Sequence, residues 1–320
     1  MKSLYFVKGH CGWDVLSLLL AEQIPFDEQL TTALAVLDPP FSGGLEVGLL
    51  SAMARRNDLR LRITDSTTRQ WVSMCGGMTQ VIGKALIETQ LGTRLGVDVS
   101  SPIIDVRLIT DSCTIPIHIE AANGQATRVT TTMDSYVDLT YGLGVSDVSV
   151  QGVPAISAGE YLVIDVAELE AHHPGLDFTR RDPGPHLAVV TAILEQHRQQ
   201  HGDSLYSNAM LYDAHPNGAG NFRIFPRFLD ATAAALPYEF QCGTGTIALT
   251  VALAHAGKLA PYASNGSFVL EWGNPLVTPD PYGIRTSHVS VTLQGQRVTS
   301  ASFSHSVVEI SIEGSLRLIR

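Results

Sequence analysis

Hydrophobic and polar positions alternate along much of the chain, and this pattern predicts β-strands separated by short turns. Residues 59–63 alternate strictly and predict a half-buried strand, and residues 103–140 predict further strands, including the 137–139 stretch. The Gly-rich residues 141–145 come next and are predicted to form a linker. The first half therefore predicts a strand-rich domain.

Two apolar runs with helical spacing interrupt the strands, and each begins directly after a Cys-Gly step. The first follows Cys75, and the second follows Cys242 and ends at a C′ cap, Gly257. Further strands are predicted at 161–166, 209–212, 222–225 and from 267 to 319 with turns at 294–295 and 313–314, and a helix at 187–199. The order of strands, a Cys-Gly helix and strands occurs twice, which indicates a duplicated α/β architecture.

Composition fits two globular domains. The chain has 320 residues, of which 45% are hydrophobic and 16% charged, which excludes a disordered protein. The net charge is −10 and no basic cluster of five or more residues occurs, so nucleic acid is not an expected partner.

The expected setting is cytoplasmic, with no membrane association and no bound cofactor. The first ten residues lack a signal-peptide pattern, and the apolar run at 15–20 is too short to span a bilayer. Four scattered cysteines make neither a disulfide framework nor a zinc site, and the histidines at 10, 172 and 173 lack further ligands at useful spacing. No lysine site for pyridoxal phosphate is evident.

The two Cys-Gly steps suggest acid–base chemistry. Backbone N–H groups at a helix N-terminus favour a thiolate, and the residues after each cysteine leave N–H groups exposed for a substrate carboxylate. Burial as a packing residue is the alternative, and we expect it for Cys11 and Cys113. A base on one face of a carbon and an acid on the other would invert that carbon without a cofactor.

The motifs around the two cysteines resemble those of the diaminopimelate epimerase fold family. Cys242-Gly243-Thr244-Gly245 matches that family's second motif closely, whereas Cys75-Gly76-Gly77 matches its first, Cys-Gly-Asn-Gly, only in part. Gly12-Trp13-Asp14 stands where the family has Gly-Asn-Asp, Ser207-Asn208-Ala209 resembles its Val-Asn-Ala step, and residues 266–272 resemble its late Gly-Ser-Leu strand. The match extends over most of the chain.

This resemblance implies an α/β (α+β) fold of two pseudo-symmetric domains, each a curved, mostly antiparallel sheet around a central helix, with the active site between them. The implied domains are 1–142 plus 308–320 and 143–307, with the last strand, 308–319, returning to the first domain. The implied catalytic residues are Cys75 and Cys242, and the implied substrate-binding residues are Asp14, Gly76, Gly77, Asn208, Gly243, Thr244 and Gly245. No cofactor or metal is implied, and a homodimer stays open.

Departures from the family motifs indicate a substrate other than diaminopimelate. Trp13 replaces a substrate-contacting asparagine, residues 158–161 replace Gly-Asn-Pro-His, and Pro226-Arg227 replaces Glu-Arg. Residues 210–213, 225–226 and 241–246 are similar to the histidine racemases of opine metallophore biosynthesis. Asp14, Glu160 or Asp213 could then meet a cationic or imidazole side chain; a cap, turn or surface role is the alternative for each.

Three functions remain open from the sequence. The leading one is a cofactor-independent amino-acid racemase or epimerase with two thiol bases. The second is a proton-shifting double-bond isomerase of the methylaconitate type or of the phenazine pathway, and the third is a binding homologue that has lost turnover.

Overall fold

The computed structural model describes residues 3–12, 14–39, 41, 44–66, 68–176, 184–201, 208–214, 220–225, 241–259, 266–272 and 285–317. Trp13, Ser207, Pro226 and Arg227 lie outside these residues. The chain divides into two compact units, unit 1 with residues 1–132 and 307–320, and unit 2 with residues 133–306.

Unit 1 is a sheet with three helices. Its strands before residue 133 are β1 (Ser3–Cys11), β2 (Asp14–Leu20), β3 (Glu46–Ala52), β4 (Asp58–Asp65), β5 (Trp71–Val72), β6 (Ile103–Ile109), β7 (Thr114–Ala122) and β8 (Gln125–Thr132). Its helices are α1 (Gln29–Leu37), α2 (Gly76–Glu88) and α3 (Leu91–Arg94). Strand β2 is antiparallel to β1 and parallel to β3, β4 is antiparallel to β3 and parallel to β6, and β7 lies between β6 and β8 in antiparallel order.

Unit 2 has the same kind of sheet. Its helices are α4 (Asp134–Leu143), α5 (Val166–His172), α6 (Gly184–His201) and α7 (Gly243–His255). Its strands are β9 (Val145–Val150), β10 (Val153–Ala158), β11 (Tyr161–Asp165), β12 (Asn208–Ala214), β13 (Gly220–Phe225), β14 (Ser267–Trp272), β15 (Arg285–Gln294) and β16 (Arg297–His305). Strands β9, β10 and β11 are antiparallel, β12 runs parallel to β11, β13 pairs antiparallel with β12 and parallel with β14, and β14, β15 and β16 are antiparallel.

The last strand completes a pseudo-repeat. Strand β17 (Val308–Arg317) pairs antiparallel with β1, so it stands beside β1 as β9 stands beside β10. Each unit then reads as three antiparallel strands, a parallel step, an antiparallel pair, a second parallel step and three antiparallel strands. The predicted α/β fold of two pseudo-symmetric halves is confirmed.

One buried helix packs against each sheet. Helix α2 packs on β1, β2, β8 and β17, and α7 packs on β10, β11 and β16. Helix α7 is apolar on almost every side and almost every residue from Gly243 to Ala254 is buried, as expected of a helix enclosed by its own unit. An added Cβ at Gly83 of α2 would lie 2.5 Å from Val129 of β8, so the absence of a side chain there allows the helix to approach the sheet.

Three local predictions were wrong. Residues 137–139 belong to helix α4, whose buried Tyr136, Val137 and Thr140 follow helical spacing, and residues 141–145 are the end of that helix and the start of β9. The turn predicted at 313–314 is absent, because β17 continues through it with Gly314 opposite Phe6. The strand at 59–63, the turn at 294–295 and both Cys-Gly helices are confirmed.

Candidate active site

Cys75 is the N-cap residue of α2. Its backbone is extended, and its Sγ accepts a hydrogen bond from the Met78 N–H at 3.2 Å, as a capping side chain does. Gly76 and Gly77 form the first turn and are buried, while Cys75 itself is half-buried. The thiol therefore lies at the end of α2 where backbone N–H groups lack helical partners.

Two carboxylates accompany this thiol. Strand alternation places Asp14 on the face of β2 that also carries Leu16 and Leu18, and Glu46 on the face of β3 that carries Gly48. This face meets α2, because an added Cβ at Gly48 would lie 3.1 Å from the Met78 Sδ. Both sheet positions therefore point toward the helix that Cys75 caps.

The environment of Cys75 favours the protonated thiol. Burial raises the pKa of the thiol well above its ordinary value, and the negative charge and hydrogen bond of Glu46 and the charge of Asp14 raise the pKa further. The Met78 N–H acts in the opposite direction and is outweighed. At Cys75, burial and two nearby carboxylates therefore outweigh the helix N-terminus, which by itself favours a thiolate.

Cys242 caps α7 in the same way, with different neighbours. Its Sγ accepts the Gly245 N–H at 3.4 Å and lies 3.4 Å from the hydroxyls of both Tyr161 and Thr244. The two hydroxyls are 2.8 Å apart. Hydroxyl and N–H groups can donate to a sulfur anion, so Cys242, unlike Cys75, has neighbours that can stabilise a thiolate.

A tight hairpin turn positions Tyr161 beside Cys242. Ala158 of β10 pairs with Tyr161 of β11, and Gly159 between them has a φ of 59°. The first hairpin of unit 1 has the same form, because Cys11 pairs with Asp14 and the connection starts at Gly12 with a φ of 63°. Asp14 and Tyr161 thus hold matched places in the two units.

The sequence-predicted site residues form two groups, one within each unit. Asp14, Gly76 and Gly77 lie near Cys75, as described above. Asn208 begins β12 directly opposite Tyr161 in the parallel register, and Gly243, Thr244 and Gly245 form the first turn of α7 after Cys242. Asp213 lies on β12, opposite Asn221.

Three neighbours of the thiols were not anticipated from the sequence in these roles. Glu46 neighbours Cys75, and Tyr136 and Tyr161 neighbour Cys242. Sheet pairing and helix packing bring these residues to the cysteines across tens to about a hundred residues of sequence, so no local motif marks them. The one usable signal was the Gly-x step before Tyr161, which repeats the Gly-x step before Asp14.

Of the other two cysteines, Cys11 is buried as expected, whereas Cys113 is half-buried. Cys11 is fully buried, and an added Cβ at Gly77 would lie 3.6 Å from its sulfur. Cys113 closes a turn, with its Sγ 3.4 Å from the Thr110 hydroxyl. Within the described residues, no three His, Cys, Asp or Glu side chains gather as a metal ion would require, and none of the helices described there has the length and hydrophobicity needed to cross a membrane.

Several solved structures share this architecture along their whole length. A hydroxyproline epimerase from Agrobacterium vitis, with bound trans-4-hydroxy-L-proline, is 16% identical with a TM-score of 0.63, covering 99% of this chain and 91% of that one. A methylitaconate-delta-isomerase is 10% identical with a TM-score of 0.63, covering 98% and 95%. A phenazine biosynthesis protein of the PhzF family from Bacillus anthracis is 13% identical with a TM-score of 0.55, covering 99% and 100%.

The chain has the fold of these proteins. At such low identity the likeness establishes the fold alone, and neither a protein-family model nor a curated protein sequence matches the chain. The fold implied by the diaminopimelate epimerase resemblance is thereby confirmed.

Proposed function

We propose that this protein is a cofactor-independent amino-acid racemase or epimerase in which Cys75 and Cys242 are the two acid–base groups. The observation that carries the proposal is the matched placement of the two thiols. Each is the N-cap of the buried central helix of its unit, with first-turn N–H groups beside it. The solved structures with this fold include an epimerase of an amino acid, which supports the same reaction class.

In the proposed reaction one thiolate removes the α-proton and the other thiol delivers a proton to the opposite face of the same carbon. The C–H electron pair moves into the substrate carboxylate, and it returns to carbon when the second proton arrives. The N–H groups of Gly76, Gly77, Gly243 and Thr244 would hold the carboxylate and stabilise the charge that develops on it. Since the neighbours of Cys75 keep it protonated, Cys242 acts first as the base in this proposal.

We propose two domains that follow the sequence-predicted ranges, 1–142 with 308–320 and 143–307, except that helix α4 (Asp134–Leu143) stays whole in the second domain. We propose histidine or another polar amino acid as the substrate. The support for this choice lies in the departures from the diaminopimelate motifs and in the similarity to histidine racemases. Asp14 and Asn208 are proposed as further substrate contacts, because they stand near Cys75 and opposite Tyr161 respectively.

The test is deuterium incorporation at the α-carbon. The parent protein is incubated in D2O with a panel of single-enantiomer amino acids, and both exchange and inversion are followed. Cys75→Ser and Cys242→Ser should each reduce inversion by about 10³-fold or more. Cys11→Ser and Cys113→Ser are matched controls, because these thiols pack in unit 1 without capping a helix. Parent-rate inversion by both Cys75→Ser and Cys242→Ser would exclude the two-base proposal.

A proton-shifting isomerase is the second candidate, because a methylitaconate isomerase matches the chain as well as the epimerase does. Turnover of an unsaturated dicarboxylic acid, with no exchange into any amino acid, would establish it in place of racemisation.

A further inference from the structure

We propose that Glu160 binds a cationic nitrogen of the substrate beside Cys242, so that the protein selects an amine-bearing acid over an unsaturated dicarboxylic acid. This inference rests on the proposed function and names its substrate class. It depends on where the Glu160 carboxylate is held and on which charges surround it.

The position of Glu160 is fixed by the turn that contains it. Gly159 and Glu160 alone connect β10 to β11, and the Gly159 N–H donates to the Gly144 carbonyl at 3.0 Å. An added Cβ at Gly159 would lie 3.0 Å from the Thr140 Cα, so the turn lies directly on helix α4. Because the next residue is Tyr161, the turn also fixes the hydroxyl that contacts Cys242.

The carboxylate is oriented by a second tyrosine. The Tyr136 hydroxyl donates to the Glu160 Oε2 at 3.1 Å, and Tyr136 is only 3% exposed, so its ring holds one position. Burial raises the pKa of Tyr136, and the charges of Glu160 and Cys242 raise it further, so both charges act on that hydroxyl. Tyr136 also hydrogen-bonds to Thr244, in the first turn of α7. Glu160 is thus separated from the α7 N-terminus by one tyrosine side chain.

Among the side chains that the structure describes, the charge of this carboxylate has no cationic partner. No described Lys, Arg or His side chain lies within 4.0 Å of Glu160, which is half-buried and accepts a hydrogen bond from a neutral hydroxyl. A second negative charge forms nearby whenever Cys242 is a thiolate. Two such charges in a partly desolvated place repel each other, and a bound cation would relieve that repulsion.

These features fit a zwitterionic substrate, which carries both a carboxylate and a cationic nitrogen. The N–H groups of Gly243 and Thr244 suit the substrate carboxylate, and Glu160 suits a positively charged nitrogen. That nitrogen is either the α-ammonium or a basic side chain, and the experiment below separates the two. A dicarboxylic acid would instead bring a second anion toward Glu160.

The test measures binding rather than turnover. Calorimetric affinities are determined for histidine, ornithine and alanine and for the same acids without the α-amino group, using the parent, Glu160→Gln and the exposed matched control Glu168→Gln. Glu160→Gln should weaken the cationic probes about tenfold or more, relative to propanoate, the deaminated form of alanine, which carries no cation. Glu168→Gln should leave that ratio unchanged.

The pattern of losses identifies the nitrogen. Loss for all three amino acids indicates the α-ammonium, and loss confined to histidine and ornithine indicates the side chain; both support the proposal. Any one of three results would overturn the proposal. The ratio could be unchanged in Glu160→Gln, the parent could show no amine preference, or the preference could be lost in Asp14→Asn or Glu46→Gln instead. If Glu160→Gln does not fold, Tyr136→Phe, which keeps the charge and removes its hydrogen bond, should reduce the same ratio by a smaller factor.

The outcome is separate from that of the proposed function. Absence of deuterium exchange with every amino acid would refute the racemase, while an amine preference that depends on Glu160 would still stand.

Discussion

The two cysteine sites occupy the same place in two matched units, yet opposite kinds of group surround them. Cys75 stands beside Glu46 and Asp14, which oppose ionisation of its thiol. Cys242 stands beside the hydroxyls of Tyr161 and Thr244, which can donate to a sulfur anion. Even the matched hairpin positions differ, with the acid Asp14 in unit 1 and the phenol Tyr161 in unit 2.

This difference shows that a repeated backbone need not give repeated chemistry. A helix N-terminus contributes a modest stabilisation to an anion, of about 1 kcal/mol, and burial or a nearby carboxylate readily exceeds it. In the proposed reaction, which needs one base and one acid, unequal neighbours would place the starting proton on one sulfur. The pseudo-symmetry supplies the two positions, and the side chains around them would assign the proposed roles.

Apart from the two cysteines themselves, the largest effect is expected at the hydroxyl that contacts Cys242. Tyr161→Phe removes the hydroxyl that lies 3.4 Å from the sulfur and 2.8 Å from the Thr244 hydroxyl, so the turnover number should fall by about 10²-fold. Initial-rate kinetics on the substrate found by exchange would measure it. Tyr5→Phe is the matched control, because the Tyr5 hydroxyl bonds Glu313 and Thr89 away from both thiols. Equal losses in the two variants would mean that the effect is on folding.

Acid between pH 6.5 and 5 should weaken unit 2 through His305, whose pKa burial lowers further than that of His10 in unit 1. Burial lowers the pKa of His305 from 6.5 to about 3, and its Nδ1 lies 2.6 Å from the Ser287 hydroxyl, which itself accepts the Trp272 N–H. The native state keeps this histidine neutral while the unfolded chain takes up a proton below pH 6.5, so stability is complete above that pH and is lost below it. The expected loss between pH 6.5 and 5 is about 2 kcal/mol.

Denaturant unfolding as a function of pH tests this. His305→Asn should flatten the slope between pH 6.5 and 5, and His288→Asn, at an exposed position of β15, should retain it. In unit 1 the hydrogen bond from Arg107 lowers the pKa of Asp58, so the stability that this carboxylate adds is lost only below its ordinary value of 3.8. A slope that His305→Asn leaves intact would refute the assignment.

The smallest effect concerns the proton on Cys75. Glu46→Gln removes a negative charge and changes the hydrogen bond to the thiol, which should lower the pKa of Cys75 and raise its alkylation rate at pH 8.5 about tenfold. Peptide mass spectrometry in a Cys242→Ser background would follow Cys75 separately from Cys11 and Cys113. Asp65→Asn is the matched control, because Asp65 lies opposite Glu46 on β4 and hydrogen-bonds to Thr68. An unchanged rate in Glu46→Gln would remove the proposed asymmetry.

The fold was largely predictable from the sequence because alternation and the two Cys-Gly steps are local signals. The errors came where tertiary packing determines the local structure. The few apolar residues of α4 also fit a strand, and the helix is favoured because Thr140 packs against the turn at Gly159. The helix caps at Cys75 and Cys242 could be predicted for the same local reason. The protonation of Cys75 could not be predicted, because Glu46 is brought near it only by the parallel pairing of β2 with β3, which are joined by more than twenty residues.

The central claim is that the two thiols serve opposite faces of one α-carbon, and enantiomer-selective exchange tests it most directly. Each single variant, Cys75→Ala and Cys242→Ala, is incubated in D2O with each enantiomer of the substrate, and α-deuterium is measured without regard to inversion. Each variant should exchange only the enantiomer whose α-hydrogen faces its remaining thiol, with the two variants showing opposite preferences and neither inverting the carbon. Exchange of both enantiomers by either variant, or the same preference in both, would contradict the account.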